Sequence, residues 1–141
     1  MLRGIPAVFS PELIKILMEM GHGDELILAD RNFPAASHAQ RLLRCDGIAI
    51  PNLLSELMPF FPLDHAVECP AAVMSLLPGD PVPEVWERYR SIIGANESGF
   101  HEFEYVDRFA FYERARNAYA IVATGDRSFK GNLLLKKGVV R

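Results

Sequence analysis

The chain has 141 residues, half of them hydrophobic, and its 15 basic and 18 acidic side chains give a formal net charge of −3. That is enough apolar material for one domain with its own core and no disulfide staples, and the mixed charges leave no basic stripe for nucleic acid. Cys45 and Cys69 form no CxxC pair, and no apolar run suits a signal peptide or approaches the roughly 20 residues of a membrane span, so the expectation is a soluble cytoplasmic protein with reduced thiols.

Ser10-Pro11-Glu12 reads as a helix start, with serine as N-cap, proline at the first helical position and an acid in the first turn. Leu13, Leu17 and Met20, with Ile14 and Met18 beside them, give one apolar face running to Gly21, a natural helix stop. His22 follows on a corner between Gly21 and Gly23. Next comes the apolar run Leu26-Ile27-Leu28-Ala29, short enough for a buried strand, with Asp30 at its carboxyl end, where open α/β sheets gather their ligands. Asn32-Phe33-Pro34 and the small residues after it form a loop that carries His38. Residues 41–44 give no clear signal. Ile48-Ala49-Ile50 reads as a second strand closed by Pro51, and Asn52 as the cap of a helix from Leu53 that Pro59 ends.

Val73 to Leu77 is expected as a third strand, ended by Pro78-Gly79-Asp80. Pro83-Glu84 opens a helix to about Ile93, with Trp86, Tyr89 and Ile93 on one stripe and Gly94 as its stop. Phe103 and Tyr105 alternate with Glu102 and Glu104, the pattern of a strand with one wet face; Arg108 to Ala115 reads as a short helix. Ala118 to Thr124 is an apolar strand leading into the turn at Gly125-Asp126, and Leu133 to Leu135 is the last strand. Strands alternating with helices predict a single three-layer α/β/α domain over residues 1–141 with a mostly parallel, mixed sheet.

Several chemistries are excluded. The GHGDEL segment precedes a strand, whereas a dinucleotide fingerprint follows one, and Lys130 lies before Gly131, so no P-loop is formed. No nucleophile elbow or H-E-x-x-H helix occurs. A metal held by His22, Asp24 and Asp30 is an unspecific alternative. What remains is a histidine able to carry protons near neutrality, a carboxylate, arginines and an amide, a set that calls for no cofactor and no metal. His22 also fits a plain polar residue at a helix end, and Asp30 a plain turn-former.

The segments MGHGDELILADRNFP, RFAFYERARNAYAIVATGD and GNLLLKKGV resemble, in order and spacing, blocks of the L-fucose mutarotase and D-ribose pyranase family, over about Ser10 to Val139. The MGHGD and RFAFYE blocks resemble the fucose mutarotase branch more than the ribose one. The resemblance implies an isomerase with His22 as the catalytic proton carrier and Asp30 and Arg108 on sugar hydroxyls. It also implies a substrate-binding triplet at Lys130-Gly131-Asn132, where the family has tyrosine at the first position. It further implies ring-shaped homo-oligomers with the site near a subunit boundary, and a monosaccharide as partner. Phe33 is a candidate cover for the apolar face of the sugar. Lys130 either points to solvent or joins Arg108 in a cationic pocket suited to a sugar carboxylate. Ring-size interconversion of ribose and a non-catalytic sugar-binding module are the competing functions.

Overall fold

A computed structural model describes residues 1–141. Its centre is one six-stranded sheet made of β1 (Glu25–Ala29), β2 (Leu42–Cys45), β3 (Ala71–Met74), β4 (Glu104–Val106), β5 (Ala120–Thr124) and β6 (Leu133–Lys136), in the order β2-β5-β1-β6-β3-β4. β1 pairs in parallel with β5, β5 with β2 and β3 with β4, while β6 runs antiparallel to both β1 and β3. The sheet is therefore mixed and mostly parallel, as expected. One consequence governs the site: β6 begins at the end of the sheet where β1 finishes.

Both faces of the sheet are covered. Leu26, Leu28, Val122, Leu133 and Leu135 pack under α1 (Pro11–Glu19), α3 (Ile50–Leu57) and α4 (Val85–Asn96) in the larger core. Ile27, Ala29, Ile121 and Leu134 face the smaller core with α2 (Ala35–His38) and α5 (Arg108–Asn117). Successive residues of a strand point to opposite faces, so an unbroken apolar run is what a strand buried on both sides requires.

The helix start at Ser10 is as read: its hydroxyl accepts the Leu13 N–H at 3.1 Å. The buried stripe of α1 is Leu13, Ile16 and Met20, while Met18 is 81% exposed, because three- and four-residue spacing from Leu13 reaches Ile16 and Met20. Helical structure stops at Glu19, and the left-handed residue at the corner is Gly23 (φ +89°), not Gly21.

Several elements differ from their expected form. Residues 41–44 overlap an edge strand, β2, whose exposed Leu42 and Arg44 hide the pattern. The expected strand at Ile48 to Ile50 does not form. Ile48 and Ala49 are turn and cap, and Ile50 opens α3, so Asn52 lies inside the helix rather than capping it. The cap comes from across the fold: Asp126 Oδ2 accepts the Ile50 N–H at 2.8 Å. Pro59 sits in a 3₁₀ turn, Met58–Phe60, that follows α3 directly. β3 begins and ends earlier than expected, at Ala71 and Met74, and α4 continues through Gly94 to Asn96. In β4 the wet side includes Tyr105, which is 44% exposed at the sheet edge.

Candidate active site

Asp30 is delivered by β1 to the carboxyl edge of the sheet and is 8% exposed. Its backbone N–H donates to Asn132 Oδ1 at 2.7 Å, which fixes the amide at the start of β6 beside it. Its carboxylate accepts the Asn32 N–H at 3.0 Å. Burial pushes the Asp30 carboxyl above its ordinary range, and N–H groups of Asn32, Phe33 and Gly131 only partly offset that. The result is a buried carboxylate that lacks a cation and benefits from any hydroxyl donor placed against it.

The triplet Lys130-Gly131-Asn132 is held from behind by α4. Trp86 Nε1 donates to the Lys130 carbonyl at 3.0 Å, and the buried Tyr89 hydroxyl donates to the Gly131 carbonyl at 2.7 Å. Lys130 itself is left-handed, with φ +47°. Its ammonium donates to the Ser75 carbonyl and to Asp80 Oδ2, both at 2.8 Å, and the side chain is 14% exposed. It neither points to solvent nor stands free as a cation, because Asp80 neutralises it.

Arg108 opens α5 at the same edge, after β4. Its Nε donates to the Tyr112 hydroxyl at 3.2 Å, and the Tyr112 ring meets Phe33 edge-on with centroids 5.4 Å apart. Asp30, Asn132, Gly131, Arg108 and Tyr112 thus belong to one end of the sheet. Phe33 is only 9% exposed and packs into the core below, so it props Tyr112 rather than covering a sugar. His38 packs against Tyr112 and bonds the Pro34 carbonyl through Nδ1 at 3.0 Å. On the other flank of Asp30 a hollow of about 450 Å³ opens between Ala35, Ser37, Arg44 and Thr124.

His22 lies elsewhere. It precedes β1, so it sits at the opposite end of the sheet. An extended strand rises about 3.3 Å per residue, so the ends of the five-residue β1 are roughly 13 Å apart, and His22 and Asp30 lie beyond those ends. His22 Nε2 pairs with Asp64 Oδ1 at 2.9 Å; the histidine is half exposed, the aspartate almost fully buried. Asp64 also accepts the Ala66 N–H at 2.9 Å, and its own N–H donates to the Lys136 carbonyl at the end of β6. The Ala66 N–H first, and His22 second, hold the Asp64 carboxyl below its ordinary range. A hollow of about 170 Å³ lies against this pair, lined by His65, Val139 and Arg141.

The structure therefore brings together five of the six expected site residues at one end and leaves His22 at the other. It adds two that sequence reasoning missed, Asp64 and Tyr112. Asp64 is 42 residues from His22, so no local motif links them. Tyr112 was legible: it lies one helical turn after Arg108, on the same face. The metal set His22, Asp24 and Asp30 is not assembled, since Asp30 is at the far end and Asp24 instead caps the Gly21 N–H.

A parallel-rich α/β sheet with hydroxyl-matching groups at its carboxyl edge and a carboxylate-backed imidazole at the other defines a small-molecule acid-base protein of polar-ligand type. The chain belongs to the RbsD / FucU transport protein family, whose model matches residues 3–140. It is 48% identical to an L-fucose mutarotase of Actinobacillus pleuropneumoniae serotype 5b (strain L20), over 99% of this chain and 97% of the relative. It is 47% identical to the fucose mutarotase of Homo sapiens, over 99% and 94%. The crystal structure of the fucose mutarotase from Streptococcus pneumoniae in complex with L-fucose superposes with a TM-score of 0.92 at 48% identity, covering 99% of this chain and all of that one. Bacillus subtilis RbsD complexed with D-ribose shares the fold at TM-score 0.71 but only 19% identity.

Proposed function

We propose that this chain is a cofactor-independent mutarotase that interconverts the α and β anomers of L-fucose or a close relative. The observation that carries the reading is the half-exposed His22 imidazole braced on the buried Asp64 carboxylate. Anomer exchange opens a hemiacetal ring: the C1–O5 bond breaks, the anomeric hydroxyl loses its proton as C1=O1 forms, and O5 gains a proton. Rotation about C1–C2 and reclosure on the other face complete it. Both proton movements suit a histidine near neutrality, and no metal or redox partner is needed. Asp30, Asn132, Arg108 and Tyr112 hold the hydroxyls, and the backbone of Lys130 and Gly131 shapes the wall.

One pyranose ring cannot touch His22 and Asp30 of the same chain, so the complete site takes His22 and Asp64 from a neighbouring copy. Exposed apolar residues support that arrangement at both ends. Phe109 in the first turn of α5 is 76% exposed, Leu77 and Val82 in the loop after β3 are 67% and 69% exposed, and Val140 is 81% exposed beside the His22 end. Two different patches that meet head to tail build a ring when the rotation closes. The whole chain then acts as one sugar-mutarotase-like domain within a homo-oligomer. The free thiols of Cys45 and Cys69 suit a cytoplasmic setting.

Saturation transfer between anomer signals, measured by NMR on L-fucose, D-ribose and other sugars, tests the activity. Exchange on L-fucose is the expected result. Pyranose-furanose exchange on ribose alone would replace it with the ring-size reading, and ligand shifts without exchange would leave only a binding module. Light scattering that gives the mass of the 15.8 kDa monomer at micromolar concentration would sink the shared site.

A further inference from the structure

The short loop that carries Asp64 is pinned from two sides. On one side stands β6 and its extension: Asp64 N–H donates to the Lys136 carbonyl at 3.0 Å, Gly138 N–H to the Pro62 carbonyl at 2.7 Å, and Leu63 forms a bridge with Lys137. Gly138 is essential to that approach, because a Cβ there would overlap the Leu63 carbonyl oxygen. On the other side stands a single carboxylate, Glu97, at the end of α4. Its Oε1 accepts the Leu63 N–H at 2.9 Å, and its Oε2 pairs with His65 Nε2 at 3.1 Å. Those are the two residues flanking Asp64. The Glu97 side chain is 15% exposed, against 61% for His65, so the fixed member of the pair is the glutamate.

We propose that Glu97 is a positioning residue for the His22–Asp64 pair, gripping the residue on each side of Asp64 so that its carboxylate stays aimed at the imidazole. The inference rests on the proton-carrier role given above to His22. Glu97 bonds Leu63 and His65 but not His22, and so acts on the imidazole only through Asp64. Its geometry fits that role. Leu63 and His65 are held by one rigid carboxylate plane, which removes the loop's freedom to rotate Asp64 away, and small misplacements of acid-base groups are costly in rate. The charged groups around Asp64 are His22, His65, Lys136 and Arg141, with Glu68, Glu97 and His101 across a hollow of about 250 Å³. Loss of the grip frees Asp64 from the Ala66 N–H and from His22, the two bonds that keep its carboxyl low.

The test uses the full chain and three variants, Glu97→Ala, Glu97→Gln and His65→Ala, with anomer exchange and the carboxyl titration of Asp64 by carbon NMR as readouts. Glu97→Ala is expected to lower kcat by roughly five- to fiftyfold with KM within about twofold, and to move the Asp64 titration upward toward the ordinary carboxylate range. Glu97→Gln keeps an acceptor for the Leu63 N–H and is expected to recover most of both. His65→Ala removes one of the two bonds and is expected to give a smaller shift in the same direction. Unchanged kcat and unchanged Asp64 titration in Glu97→Ala, even with a lower Tm, would reduce Glu97 to a helix-end cap and overturn the proposal. Should Glu97→Ala fail to fold, His65→Ala decides: no shift in either readout overturns it equally. If the wild type exchanges no sugar, the functional reading fails, while the Asp64 titration still decides the fate of Glu97.

Discussion

Two carboxylates mark the two ends of the sheet, and they are shifted in opposite directions. Asp64 is 4% exposed and Asp30 8%, yet burial dominates the shift only at Asp30. Asp64 is held low, first by the Ala66 N–H and second by the His22 imidazole; Asp30 is pushed up by burial, which the N–H groups around it only partly offset. The difference teaches what each end is for. Asp64 is already paired and spends its charge on orienting His22. Asp30 keeps unmet demand for hydroxyl donors, which is what a sugar-binding group needs before the sugar arrives.

The largest effect is expected at the paired end. His22→Ala should reduce saturation transfer between anomers by about a hundredfold or more, the usual scale for a lost general acid-base group, while the fold persists because the side chain is half exposed. A variant that keeps most of the exchange would show that the proton carrier lies elsewhere. Asp64→Asn is milder. Its amide oxygen still accepts the Ala66 N–H, but it loses the charge-assisted bond that orients the His22 ring, and kcat should fall roughly tenfold with little change in KM. An Asp64→Asn enzyme with wild-type kcat would break the comparison at its first term.

The unmet end should respond in KM and in stability. Asp30→Asn should weaken L-fucose binding about tenfold, since one charge-assisted hydrogen bond is lost, and should raise Tm at neutral pH. The signs differ between the two aspartates. The Asp64 carboxyl is depressed in the fold, so its contribution to stability is complete above the unfolded carboxylate value and is lost as pH falls through its lower folded value. The Asp30 carboxyl is raised, so the fold is relatively favoured below the unfolded value and loses stability as pH rises through the folded one. Thermal melts at pH 7 and at pH 3 should therefore show a larger gain from Asp30→Asn at pH 7. Equal gains at both would mean that burial is not what shifts it.

The sequence makes the middle of the sheet plain and its edges obscure, for a physical reason. Leu26 to Ala29, Ala120 to Ala123 and Leu133 to Leu135 are buried on both faces and must be apolar throughout. Leu42 and Arg44 of β2 are exposed at an edge, so that strand has no such signature. Ile48 to Ile50 is apolar yet not a strand, because its geometry is decided by Asp126, 76 residues away. The same holds for the site. Asp30, Asn132 and Arg108 are readable through the resemblance, whereas Asp64 reaches His22 only through the fold. The separation of His22 from Asp30 was available from the outset, since a strand between two residues puts them at its opposite ends.

The smallest effect is expected at Lys130, where the family resemblance puts a tyrosine. Bonded to both Asp80 and the Ser75 carbonyl, the ammonium is occupied in joining the loop after β3 to the loop before β6. Asp80 is correspondingly held below its ordinary range, first by the bond to Lys130 and then by the Leu77 N–H. A cation already neutralised by a carboxylate at 2.8 Å attracts a sugar carboxylate weakly, because the incoming charge meets Asp80 as well. Exchange on L-fucose relative to a hexuronate should therefore change by less than about twofold in Lys130→Tyr, well short of the ten- to a hundredfold that a free charge-assisted bond would give. Asp80→Asn separates the two accounts further. Freed from its partner, the ammonium should then favour the hexuronate, and relative exchange should move toward it. If Lys130→Tyr alone shifts the ratio tenfold, the lysine reaches the sugar directly and the Asp80 pairing opens when substrate binds.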